Sequence, residues 1–202
     1  MDVFDAIYQR RAVKHFDPHY RMSREDEHKL FEAAIQAPTS FNIQHWRFVL
    51  ARDPALRRRI RELGNDQAQI TDASLLVIMT ADVMAWKKQP ERYWGNAPAE
   101  VAGQLVAWIA PFHEGRESLQ RDEAQRSIGM AMQALMLAAK GMGYDSCPMI
   151  GYDFDAVAKL IRLPDDHVMG PMVAIGRATQ AAWPKPGQLA LGEVLFEDGF
   201  SG

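Results

Sequence analysis

The chain has 202 residues, 48% of them hydrophobic and 24% charged, with a formal net charge of -3. That length supports one sizeable core, the balance excludes a disordered or fibrous chain, and the charge offers no positive field to gather nucleic acid. The single Cys147 excludes an internal disulfide. With no signal-like or membrane-length apolar run, the chain reads as one domain over residues 1–202, cytoplasmic and without a membrane partner.

Taken in order, Val3, Phe4 and Ile7 behind Asp2 predict a short amphipathic helix entered under an acidic residue. It runs out into Arg10-Arg11-Ala12-Val13-Lys14-His15-Phe16. Three cations within five residues suit either a phosphate or the negative end of the helix. Ser23 caps a second helix to about Gln36, with Glu25, Asp26 and Glu27 in its first turn and an apolar face of Leu30, Phe31, Ala34 and Ile35. That helix delivers Pro38-Thr39-Ser40-Phe41-Asn42-Ile43-Gln44-His45-Trp46. Pro38 ends the helix, and the hydroxyls and carboxamides beyond it either grip a polar ligand or serve their own turn.

Trp46 to Leu50 reads as a strand. Asp53-Pro54 opens a helix to about Leu63, stopped by Gly64-Asn65, and its basic run from Arg57 to Arg61 reads as a solvated face. Gln67 and Gln69 then precede Ser74 to Ala81, an apolar run suited to a strand covered on both faces. Either glutamine could serve the edge of a heterocycle, although the surface is the commoner fate. Trp86, Tyr93, Trp94, Trp108 and Phe112 mark an aromatic-rich, less regular region in which Pro98 opens a helix.

The longest predicted helix spans Leu119 to about Met142. From Ile128 to Lys140 it is apolar nearly all round, so it must be enclosed by a larger core or between two subunits. Ser146 to Asp153 reads as an irregular apolar stretch with glycine, Asp153 caps a helix from Phe154 to Ile161, and Gly170 to Gly176 reads as a short strand. The tail from Ala178 to Gly202 places Lys185 between two prolines and then presents Leu189, Leu191, Val194, Leu195 and Phe196, which need a surface such as a partner subunit. About four strands among dominant helices make the fold α+β or α/β rather than a bundle.

No nucleophile elbow, Walker loop, dinucleotide glycine fingerprint or metal-spaced His or Cys pair is present. Metal catalysis is therefore not expected, and a bound cofactor would carry any enzymatic reactivity.

Four segments together resemble the FMN-dependent nitroreductase family: Arg10 to Phe16, Pro38 to Trp46, Cys147-Pro148-Met149-Ile150-Gly151-Tyr152-Asp153, and Trp183-Pro184-Lys185-Pro186. The resemblance implies an α+β, nitroreductase-like three-layer α-β-α sandwich with a mostly antiparallel sheet, an obligate homodimer, and a tail over 178–202 that wraps the partner. It further implies that Arg10, Arg11 and Lys185 hold the FMN phosphate beside Ala12, and that Lys14 reaches the pyrimidine end of the ring. Pro38, Thr39, Ser40 and Asn42 would approach the cofactor from the partner subunit, and Gln69 would sit at the ring edge. The N–H groups of Ile150 and Gly151 would face the flavin, with Pro148 packed on the ring.

The implied activity is ping-pong hydride transfer from NADH or NADPH to nitroaromatics, quinones or similar small electron-poor acceptors, with no catalytic side chain because the flavin carries the chemistry. The alternative is a flavin-binding or redox-sensing module without turnover. Ala12 stands where the family has a serine, Gly187 where it has a tail arginine that Arg177 could replace, and Ile150 where some relatives have a glutamate.

Overall fold

The computed structural model describes residues 1–200, and its helices begin where polar caps put them. Asp2 accepts the Asp5 N–H at 2.8 Å to start α1 (Val3–Gln9), and Ser23 accepts the Asp26 N–H at 3.0 Å to start α2 (Arg24–Ala34). Strand β1 (Trp46–Leu50) is followed by α3 (Pro54–Leu63), capped by Asp53 with proline in its first turn. A single turn, α4 (Gln69–Asp72), leads into β2 (Leu75–Asp82). Next come α5 (Ala99–His113), α6 (Glu117–Gly141), β3 (Asp145–Met149), α7 (Phe154–Leu160) and β4 (His167–Gly176).

The four strands lie in the order β1-β2-β4-β3, every neighbouring pair antiparallel. All eight residues of β2 are buried, as expected for a strand covered on both faces. One face packs Val77, Met79 and Val173 against Leu30 of α2 and Ile128 and Leu135 of α6. The other packs Leu76, Ile78 and Met172 against Ile60 of α3, Ile70 of α4 and Val157 of α7. The result is the three-layer α-β-α sandwich. Close approach between layers is tightest at Gly170, where a Cβ would stand 2.8 Å from Ile128 Cγ2.

Several local expectations are corrected. Ser146 to Met149 is regular, not irregular: it belongs to β3, where Pro148 is tolerated because the strand is a sheet edge. The strand expected from Gly170 begins at His167. Arg57 is not solvated; its guanidinium donates to the carbonyls of Ala51, Thr71, Ala73 and Ser74, and burial among other cations lowers its pKa to about 10. Of the two fates left open for Gln69, the surface one does not hold, because the residue is buried.

In α1 only Ala6 is buried, which leaves Val3, Phe4, Ile7 and Tyr8 exposed. Among the described residues the tail has no helix beyond the short 3-10 turn at Leu191–Glu193, and its apolar residues from Trp183 to Phe200 are exposed, whereas Ser201 and Gly202 lie outside the described residues. No helix of the described residues is long and apolar enough to cross a membrane.

Candidate functional site

The basic segment is held along the β3 edge of the sheet. Ala12 bridges Ser146 in parallel, and the Val13 N–H donates to the Ser146 carbonyl at 3.0 Å. The start of the tail then crosses the same segment: Thr179 N–H donates to His15 O at 3.0 Å, and the Trp183 ring centre lies 5.8 Å from Lys14 Nζ. A cavity of about 500 Å³ opens between the two, with Arg11, Val13, Ala178 and Trp183 on its walls. Arg11 Nη1 is committed to the carbonyls of Tyr8 and Arg10 at 2.6 and 2.9 Å, which leaves its remaining nitrogens for other acceptors. Lys185, two residues past Trp183, is exposed.

Beside this segment stands a row of carboxamides. Gln69 is 4% exposed, and its Nε2 lies 3.1 Å from Gln67 Oε1 and 3.8 Å from Cys147 Sγ. Gln67 Nε2 in turn donates to the Gly64 and Gly151 carbonyls at 3.0 and 3.1 Å. Asn65 Nδ2 reaches the same Gly151 carbonyl, also at 3.1 Å. Burial pushes the Cys147 thiol up, against the opposing charges of Lys14 and Arg10, so it remains a protonated packing group and not a nucleophile.

Past β3 the chain turns outward. Ile150 is 69% exposed, and among the described residues neither its N–H nor that of Gly151 has an acceptor. Backbone donors of that kind beside a cationic segment suit a planar, electron-accepting ligand that carries a phosphate. The donor set therefore fits FMN.

Arg10, Arg11, Ala12, Lys14, Gln69, Pro148, Ile150 and Gly151 are thus brought together by one protomer. Pro38, Thr39, Ser40 and Asn42 are not. Their loop precedes β1, at the opposite edge of the sheet. Here Thr39 Oγ1 accepts the Gln44 N–H at 2.9 Å and Asn42 Nδ2 donates to Tyr93 O at 2.8 Å, while Phe41, Asn42 and Gln44 all have positive φ. Arg177 stacks 4.1 Å over the Tyr20 ring.

The pattern of residues did not announce Asn65, which reads only as a helix stop; its bond to Gly151 joins residues 86 apart in sequence and leaves no local signature. It also did not announce His45, which is buried behind the loop. There Ser127 Oγ donates to Glu123 O, so His45 Nδ1–H must donate to Ser127 Oγ at 3.1 Å. Asp82, Asp166 and His167 converge, but Lys88 Nζ sits among them at 2.8 and 2.6 Å from the two carboxylates. A larger cavity of about 850 Å³, between α2, α3 and the ends of β1 and β2, contains none of the expected site residues.

The fold and this edge define an α+β sandwich built to present backbone donors and cations to a bound group. A protein from Exiguobacterium sibiricum solved in complex with FMN has this fold, with a TM-score of 0.90, 26% identity and coverage of 98% of this chain and 97% of that one. Protein DrgA of Synechocystis sp. is 64% identical over 200 residues, 96% of this chain and 95% of that one. A protein named NADH dehydrogenase from Thermus thermophilus is 28% identical over 193 residues, 91% and 90% of the two chains. The nitroreductase family model matches residues 7–177, and the chain belongs to that family.

Proposed function

We propose that this protein is an FMN-containing, NAD(P)H-dependent oxidoreductase that reduces small electron-poor acceptors, nitroaromatics and quinones among them, in alternating half-reactions. The observation that carries the reading is the pair of unpartnered N–H groups at Ile150 and Gly151, which follow directly on β3, the strand along which the Arg10–Lys14 segment is held. FMN, when bound, supplies the hydride-accepting and electron-donating chemistry.

The chain supplies the rest. Arg10, Arg11 and Lys185 hold the phosphate as forked and point charges, and Lys14 stabilises negative charge that develops on the reduced ring. The Ile150 and Gly151 amides orient the reactive edge. Gln69 and Pro148 close the ring's sides and exclude water from it. No side chain needs to act as acid or base, because alignment is what hydride transfer demands.

The Pro38–Trp46 loop lies at the far edge of its own sheet, so its hydroxyls and carboxamide reach a cofactor only from a second copy. The exposed apolar residues of α1 and of the tail supply the contact surface for a homodimer. The protein works in the cytoplasm, where NAD(P)H is available.

Purified protein titrated with FMN tests the reading. A bound flavin spectrum that bleaches within a turnover time on anaerobic addition of NADH or NADPH is expected. A preparation that stays colourless after FMN addition overturns it, and a bound flavin that neither nucleotide bleaches leaves a binding module and not an enzyme.

A further inference from the structure

We propose that Asn65 and Gln67 act as a two-donor clamp on the Gly151 carbonyl and are positioning residues for the Ile150–Gly151 amides; this rests on the FMN reading above. The carbonyl accepts one carboxamide N–H from each residue, both at 3.1 Å. One donor restrains a carbonyl along a single direction and lets the peptide plane pivot about it. Two donors, on the two lone pairs, remove the pivot.

Each arm of the clamp is itself held. Gln67 keeps its rotamer by donating to Gly64 O at 3.0 Å and by accepting from Gln69 at 3.1 Å, and Gln69 is fixed by burial beside Cys147. Asn65 is in the left-handed region at φ 54, directly after α3. The Asp153 N–H donates to Leu63 O at 2.9 Å, so the end of α3 grips the turn on both sides of Tyr152.

The clamped Gly151 carbonyl shares its peptide plane with the Tyr152 N–H, which donates to Ile150 O at 3.0 Å, and that oxygen shares the plane of the Gly151 N–H, so fixing the first plane restrains the second through this bond. An exposed turn with free N–H groups is otherwise the kind of segment that moves on the nanosecond scale. The clamp gives it the rigidity that a ligand-facing donor pair requires without using those N–H groups.

The test uses the full-length protein with Asn65→Asp and Gln67→Glu, which keep shape and replace donors by acceptors, and with Asn65→Gly, which relieves the positive φ while deleting one donor. In cofactor-free protein, the 15N order parameter of Gly151 is expected to fall from about 0.85 to below about 0.6 in the double carboxylate variant. The dissociation constants of FMN and of riboflavin should rise by the same factor, about tenfold, because the clamp acts at the ring and not at the phosphate. Asn65→Gly should loosen Gly151 and weaken both ligands without lowering the melting temperature, which separates positioning from support of the fold. An unchanged Gly151 order parameter in Asn65→Gly, or affinities within twofold of wild type, overturns the clamp. Wild-type protein that binds no FMN overturns the functional reading instead, while the order parameters still decide the clamp.

Discussion

Arg52 grips Glu27 with both ends of its guanidinium, Nη1 to Oε1 at 3.1 Å and Nη2 to Oε2 at 2.7 Å. This forked pair ties the exit of β1 to the first turn of α2, and a third bond from Arg24 at 2.9 Å completes the coordination of a nearly buried carboxylate. The hydrogen bonds from Arg52, ahead of the opposing effect of burial, hold the Glu27 carboxyl below the usual glutamate range. Glu27→Gln is expected to cost about 1–2 kcal/mol at pH 7, because a charge-assisted pair loses one partner while the guanidinium stays partly solvated. Its effect should shrink as pH falls below the ordinary glutamate range and wild type itself becomes protonated. Equal denaturant midpoints at pH 7 would refute this.

His45 makes the opposite kind of demand, since burial first and the nearby His113 second lower its pKa from 6.5 to about 4. Between those values the unfolded chain takes up a proton that the folded one refuses, so stability is full above about pH 6.5 and falls as pH drops towards 4. The shift corresponds to about 3 kcal/mol. Burial lowers His113 as well, adding to the same loss. His45→Gln should flatten the slope of unfolding free energy between pH 6.5 and 4, whatever it does to stability at neutral pH. A variant slope equal to wild type would count against the assignment.

Gly170 admits no side chain. A Cβ would meet two Ile128 carbons at 2.8 and 2.9 Å and the Met79 carbonyl at 3.1 Å. Gly170→Ala should therefore destabilise by about 1–3 kcal/mol, as overpacked cores do. Adding Ile128→Val, which removes one of the two crowding carbons, should recover part of the loss in a urea titration, and strict additivity of the two changes would argue that they are not in contact.

The phosphate reading predicts a distinctive ligand dependence. Arg10→Ala and Lys185→Ala should each weaken FMN about tenfold, about 1.4 kcal/mol, and leave riboflavin nearly unaffected. Calorimetric titration with both ligands separates this from a general loss of fold, which would weaken them alike.

The exposed face of α1 gives the dimer its own test. Phe4→Asp places a charge on a surface that two copies would bury, and sedimentation should then show a shift towards monomer together with loss of FMN affinity. A variant that stays dimeric and binds FMN normally would remove α1 from the interface.

Much of the architecture was legible because it depends on neighbours in sequence. Asp53-Pro54, Ser23 and the unbroken run of β2 each declare an element within a few residues. Strand β3 was hidden because Pro148 removes a donor and only its place at the sheet edge makes that harmless. Arg57 looked like one more surface cation, and only the chain ends that gather round it turn it inward. Of the candidate site, the four-segment resemblance reached the residues beside β3, but nothing local to Asn65 could point to Gly151. The apolar period of α1 was readable, but nothing within the chain covers Phe4 and Ile7, so the period alone could not say what they meet.

The central pairing of the sheet bears on how the chain is made. Leu75 meets Ile175, and β3, the strand between them in sequence, pairs with β4 and not with β2. As the polypeptide leaves the ribosome, β1, α3 and β2 can associate early, but β2 keeps an open hydrogen-bonding flank until nearly the whole chain has emerged. The nascent protein therefore passes through a stage in which its most apolar strand is half-sheltered, and that interval, more than the finished sandwich, is where chaperones would find it.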